Sequence, residues 1–221
     1  MLDQIYILPV LLFSVIIHEM AHGWMALRLG DTTARDLGRL TLNPIPHIDP
    51  VGSVLIPLMS LAVSGRVFIA WAKPVPVNPA NFAHLRRDDI LVSIVGPLSN
   101  ILLACACTAL FIITARLSRI ADLPPGMLDQ GIQFLLKMFA GGITLNIVLA
   151  VFNMIPVPPL DGSHVVASLL PAELSNQYRR IGFLGIILIL LIMRWEPFAR
   201  FFYGVIDTLV YPFGYLIHLL T

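Results

Sequence analysis

Four stretches of this chain are apolar over a length that crosses a bilayer, about twenty residues: Gln4 to Leu27, Ile90 to Ala115, Gly131 to Ile155 and roughly Phe198 to Leu220. Two more, Val51 to Ser64 and Ile181 to Met193, are apolar but shorter. Each of these is predicted to be a re-entrant piece, a thin span or a helix buried against the others. Between Arg66 and Asn81 the chain is β-prone but interrupted by Pro74, Pro76 and Pro79. Proline there permits an edge strand and little else. This predicts a small strand-like, membrane-associated segment that could pair with an extended substrate, or else a loop along the membrane surface. Without an internal repeat, a low-complexity tract or an appended soluble stretch, residues 1–221 read as one domain. The expected fold is an all-α polytopic membrane protein.

Composition agrees: 57% of residues are hydrophobic and 12% charged, with a mean hydropathy of +0.86, far too apolar for an ordinary soluble domain. A net charge of +1 and the lack of a polybasic run exclude nucleic-acid binding. No basic region precedes the first apolar run, so that run is expected to stay as a helix rather than leave as a signal peptide. Cys105 and Cys107 point about 200 degrees apart on a helix and are not expected to bridge. Charge also suggests a topology. With the first helix running outside to inside and the Val51 segment re-entrant, Arg28, Arg35, Arg39, Arg66, Lys73, Arg86, Arg87, Arg179 and Arg180 are all cytoplasmic, leaving five Lys or Arg elsewhere. If that segment crosses fully, the asymmetry nearly vanishes.

Inside the first span lies His18-Glu19-Met20-Ala21-His22. Residues four apart share a helix face, so both imidazoles can bind one Zn²⁺ while Glu19 reaches its water. Ionisable groups in hydrocarbon are costly and rarely idle. A hydrolytic zinc site needs a third protein ligand and an open position. The long zincin pattern would put histidine at position 28, which is Arg28, and the other glutamates, Glu173 and Glu196, lie in surface-like charged clusters. Asp161 is the strongest remaining candidate. It follows an apolar span broken by Pro156, Pro158 and Pro159, and Gly162 after it permits a close approach. A plain Asp-Gly turn at the surface is the competing explanation. His47 and Asp49, in a proline-rich loop, form the rival pair. Asn100 and Asn153 also lie in apolar spans, where an amide must find a partner, either another helix or a reacting carbonyl. His84, His164 and His218 receive no catalytic role, although His164 could support the site from behind.

Taken in order, His18 to His22, Gly96-Pro97-Leu98-Ser99-Asn100 and Asn153 through Leu160-Asp161-Gly162 resemble the motifs of site-2 proteases, the intramembrane zinc metalloproteases. With Trp71-Ala72-Lys73-Pro74-Val75-Pro76-Val77-Asn78-Pro79, the chain is similar to the small prokaryotic branch, without a peptide-binding or nucleotide-sensing domain. The resemblance implies one Zn²⁺ held by His18, His22 and Asp161, with Glu19 as the catalytic acid/base. It also implies a site in the cell membrane reached from the cytosol, and substrates that are membrane-spanning proteins in the lipid bilayer. Substrate contact is expected from Asn153, Asn100, Trp71 and Val75. Two other classes stand against the protease: a divalent-metal transporter using the His/Asp site for transit, and a silent membrane scaffold. A transit site would not need a carboxylate beside the first ligand, and a silent scaffold would tolerate the loss of ligands, whereas this chain retains every ligand type the chemistry requires.

Overall fold

The computed structural model describes residues 6–55, 59, 72–121, 126–182 and 184–221. Four of its helices are long and apolar enough to span a membrane: α1 (Ile7–Arg28) and, after a four-residue helix α2 (Thr33–Asp36), α3 (Leu85–Ala121), α4 (Met127–Asn153) and, at the C-terminal end, α8 (Glu196–Leu220). Between α4 and α8 come three short helices, α5 (Asp161–Leu169), α6 (Ala172–Arg179) and α7 (Leu184–Met193). The chain is a multi-pass membrane protein. The four expected spans are all present, each shifted by a few residues, and the first is described from residue 6 rather than from Gln4.

Of the two short apolar segments, Ile181 to Met193 forms α7, whose ten residues reach roughly 15 Å, about half a bilayer. α6 and α7 meet at 76°. Within Val51 to Ser64, residues 50–55 form one π-type turn, and 56–58 and 60–64 lie outside the described residues, so the re-entrant reading rests on the charge pattern alone. Residues 66–71 of the expected strand-like segment lie outside the described residues, and the rest is corrected: among the described residues there is no strand, and residues 72–78 form neither helix nor strand.

The core is built where α3, α4 and α8 meet, from Ala104 and Cys107, Ile143 and Ile147, and Phe202 and Ile206. Outward positions of the long helices carry exposed Leu8, Phe13, Leu102, Leu110, Ile113 and Leu117, as a lipid-facing surface requires. Pro97 sits inside α3, and its missing N–H and bulky ring are tolerated where neighbouring helices pack closely. A second cluster of Ala26, Phe82 and Val92 closes the bundle beneath the C-terminal end of α1.

Two glycines decide how the chain leaves that end. Gly30 (φ +104°) and Gly38 (φ +63°) each take the left-handed conformation that terminates a helix. After α1, Gly30 N–H donates to Leu27 O and Asp31 N–H to Ala26 O; after α2, Gly38 N–H donates to Arg35 O and Arg39 N–H to Ala34 O. Both are Schellman closures, and each delivers the next side chain, Asp31 or Arg39, inward and buried. Asp31 accepts from the Thr33 N–H and hydroxyl, from Asn78 N–H and from Asn81 Nδ2. The proline-rich segment is thereby tied to the end of α1.

Burial pushes the Asp31 carboxyl upward, but the donors from Thr33, Asn78 and Asn81 outweigh it and hold the pKa below the ordinary carboxylate value. A depressed folded pKa gives stability that is present above the unfolded value, near 3.8, and fades as pH falls through the folded one. Asp31→Ala is therefore expected to cost about 2–3 kcal/mol near neutrality. The gap to wild type should narrow below pH 3.8. Thermal melts of both proteins in one detergent across pH check this.

Candidate metal centre

His18 and His22 sit one turn apart on the buried face of α1. His18 Nδ1 is 2.6 Å from Asn100 Oδ1, and His22 Nδ1 is 2.7 Å from the Val92 carbonyl, both on α3. A carbonyl can only accept, so His22 Nδ1 carries the proton and donates it. The same follows for His18 through a chain of amides. Asn146 Nδ2 donates to Gly142 O, Asn100 Nδ2 donates to Asn146 Oδ1, and Asn100 Oδ1 is left to accept from His18. Both amides are fully buried, so the relay fixes their orientation. With each Nδ1 protonated, both Nε2 atoms present lone pairs, and they stand 3.0 Å apart.

The third acceptor arrives from another helix. Pro156, Pro158 and Pro159 end α4, and the chain re-enters as α5 with Asp161 as its first residue. Gly162 fits against the Met154 backbone, where a Cβ would collide with the carbonyl. Asp161 Oδ2 lies 3.1 Å from His18 Nε2 and 3.4 Å from His22 Nε2, is buried, and has no hydrogen-bond partner. With both imidazoles neutral, these three atoms are all acceptors, which is what a cation needs. Ligand atoms about 2.0–2.1 Å from a tetrahedral zinc ion stand roughly 3.3 Å from one another, close to the separations seen here. Among the described residues this is the one group of three or more metal-binding side chains within reach of each other. Gly96 backs the pair of rings, because a Cβ there would run into His22 and crowd His18.

Glu19, next to His18, meets the proline-rich segment: the Val75 N–H donates to its Oε2 at 2.7 Å. That segment is a strap fastened at four points. Lys73 N–H donates to His47 O, Arg39 Nη2 donates to the carbonyls of Lys73 and Pro74, Val75 reaches Glu19, and Asn78 N–H reaches Asp31. Val75 is buried, so what it offers the site is its amide.

The rival pair does other work. His47 is buried with Nε2 donating to Thr41 O, and Asp49 Oδ1 accepts from the N–H groups of Val51 and Gly52. Asn100 has both ends of its amide committed to His18 and Asn146 rather than facing an open surface. Asn153, the last residue of α4, donates its Nδ2 to Leu149 O within its own helix. Trp71 lies outside the described residues. Sequence reasoning passed over Asn146, Arg39, Asp31 and Asp89. The first could have been suspected from the rule that raised Asn100, since it too is an amide inside an apolar span.

A family model described as peptidase family M50 matches residues 119–193. Over 189 residues, 85% of this chain and 79% of the relative, 38% of positions are identical to YwhC of Bacillus subtilis (strain 168), a protein carrying a zinc metalloprotease name. The chain belongs to peptidase family M50. Proteins named Rip2, also under zinc metalloprotease names, match at 29% over 191 residues in Mycolicibacterium smegmatis (83% of this chain, 67% of the relative) and at 27% over 195 residues in Mycobacterium tuberculosis strain H37Rv (88% and 69%). No solved structure matches the chain. Membership in M50, the site-2 protease family, makes this an intramembrane zinc metalloprotease acting on membrane proteins, and the metal is Zn²⁺.

If the converging acceptors hold the M50 zinc, His22→Ala and Asp161→Ala should each purify with clearly substoichiometric metal by elemental analysis, while His47→Ala keeps a full complement. Asn146→Leu removes the acceptor for Asn100 and should weaken zinc by roughly tenfold, as loss of partners behind a ligand commonly does. Competition with a chromophoric chelator measures it.

Proposed function

We propose that this M50 chain holds one Zn²⁺ between His18, His22 and Asp161 and hydrolyses peptide bonds within or beside the transmembrane segments of other membrane proteins, with Glu19 as the proton-transferring group. The observation that carries this reading is the meeting of three ligand atoms, within 3.4 Å of each other, beside a carboxylate held by a backbone amide. When bound, zinc acidifies a water and polarises a carbonyl. The Val75 amide engages Glu19 Oε2 and fixes the carboxylate, and the other oxygen takes the proton of the attacking water and returns it to the leaving amine.

A helical substrate hides its carbonyls in backbone hydrogen bonds, so it must unwind locally before attack. The strap of residues 72–78, without helix or strand of its own, meets Glu19 through Val75 and suits an unwound chain lying along it. The Asn153 oxygen and Trp71 are the side chains proposed to touch that chain. Asn100 acts instead through His18, and Val75 through Glu19. The site opens to the cytosol of the cell membrane. Supporting this, Arg28, Arg35, Arg39, Lys73, Arg86 and Arg87 cluster between the end of α1 and the start of α3, and Arg179 joins them through Asp89. A transit site for a divalent ion, the rival, has no use for a strap that fixes Glu19.

Glu19→Gln is expected to keep its zinc and to cut a single-span test substrate at least about 100-fold more slowly, the usual worth of a positioned acid/base. Purified protein, with and without chelator, and mass spectrometry of the products provide the measurement. Ordinary turnover in Glu19→Gln would remove Glu19 from the chemistry.

A further inference from the structure

Asp89, in the first turns of α3, is buried and takes part in none of the chemistry described above. Its Oδ2 accepts from Arg179 Nη2 at 2.6 Å and from the Ser168 hydroxyl at 2.9 Å, and His164 Nδ1 stands between Asp89 Oδ1 (3.3 Å) and Arg179 Nη1 (3.1 Å). Two of those partners belong to α5 and one to α6, so a single carboxylate binds both short helices to α3.

The spacing gives this cluster a purpose. Asp161, His164 and Ser168 recur at three and four residues, which puts them on one face of α5. On α3, Asp89, Val92, Gly96 and Asn100 recur likewise. Val92 and Asn100 orient the two histidines and Gly96 backs their rings. Ser168 meets Asp89 at one end of the α5–α3 contact, and Asp161 meets the imidazoles beside Gly96 at the other. Seven residues separate the two meeting points on either helix, about 10.5 Å along each axis. The helices therefore lie antiparallel in matched register, and a one-residue slip of α5 would carry Asp161 about 1.5 Å along its axis, well beyond the tolerance of a zinc–oxygen bond.

We propose that Asp89 is a positioning residue for the metal: through Ser168, His164 and Arg179 it sets the register of α5 on α3, and so holds Asp161 at coordinating distance from His18 and His22. This rests on the reading of Asp161 as the third ligand. Among the described residues no hydrogen bond or ion pair joins Ser168, His164 or Arg179 to His18 or His22, so in this proposal Asp89 acts on the metal through Asp161.

The test measures metal affinity on the purified full chain in detergent by chelator competition, and coordination by the visible spectrum of the Co²⁺-substituted protein. Asp89→Asn keeps the size of the side chain but removes the charge that pairs with Arg179 and puts an NH2 donor in place of one of the two oxygens that face Arg179, Ser168 and His164. It should weaken zinc by about tenfold or more and alter the Co²⁺ ligand-field bands. Ser168→Ala, which deletes one hydroxyl, should move both readouts the same way by less, and it carries the test where Asp89→Asn does not fold. In an Asp161→Ala background, adding Asp89→Asn should change affinity by less than about twofold, because the route is already cut. Unchanged affinity and spectrum in Asp89→Asn would overturn the proposal, as would an undiminished loss in the Asp161→Ala background. Full zinc binding by Asp161→Ala itself would overturn instead the ligand assignment on which the proposal stands.

Discussion

Two imidazole nitrogens and a carboxylate oxygen lie 3.0–3.4 Å apart in a lipid-embedded bundle, with the Nδ1 atom of each imidazole engaged by an acceptor on α3. Such an arrangement is repulsive unless a cation stands among the three, and burial strengthens the repulsion. The surrounding structure reads as the means of imposing it. Gly96 supplies the space, the Asn146–Asn100 relay fixes one imidazole, the Val92 carbonyl fixes the other, and the proline-rich break after α4 turns a carboxylate inward.

Most of these supports come from one helix. α3 touches each ligand along a single face, directly for the two histidines and by way of α5 for Asp161. The carboxylate proposed to transfer the proton has a separate support. Glu19 is steadied by the strap, which hangs from Arg39 and Asp31, side chains that the Schellman closures at Gly38 and Gly30 direct inward. In the proposed reading, metal ligation and proton transfer are thus held by different parts of the chain. The base can be perturbed without dismantling the metal site, a separation useful to an M50 enzyme whose substrate must reach the base while the zinc stays in place.

The spans, both histidines and the neighbouring glutamate were legible in the sequence because each announces itself locally: a run of apolar residues, or ionisable groups at helical spacing in a segment too apolar to host them idly. Asp161 emerged by elimination together with the proline and glycine around it. The strap was misread as strand-like because its β-prone residues match an edge strand. Its polar groups instead find side chains, Arg39, Glu19 and Asp31, far away in the sequence. Asp89 and Asn146 were hidden for a related reason. A buried polar residue whose partner lies 79 or 46 positions away leaves no periodic trace, and only the packing of α3 against α4 and α5 reveals what it holds.

The most direct measurement of the central claim is zinc K-edge X-ray absorption on the purified, metal-loaded chain. A first shell of nitrogen and oxygen at about 2.0–2.1 Å, with the outer scattering of two imidazoles, is expected. Deleting Asp161 should leave both imidazoles while removing one oxygen scatterer. A sulfur-containing shell, fewer than two imidazoles, or a spectrum indifferent to the loss of Asp161 would contradict it.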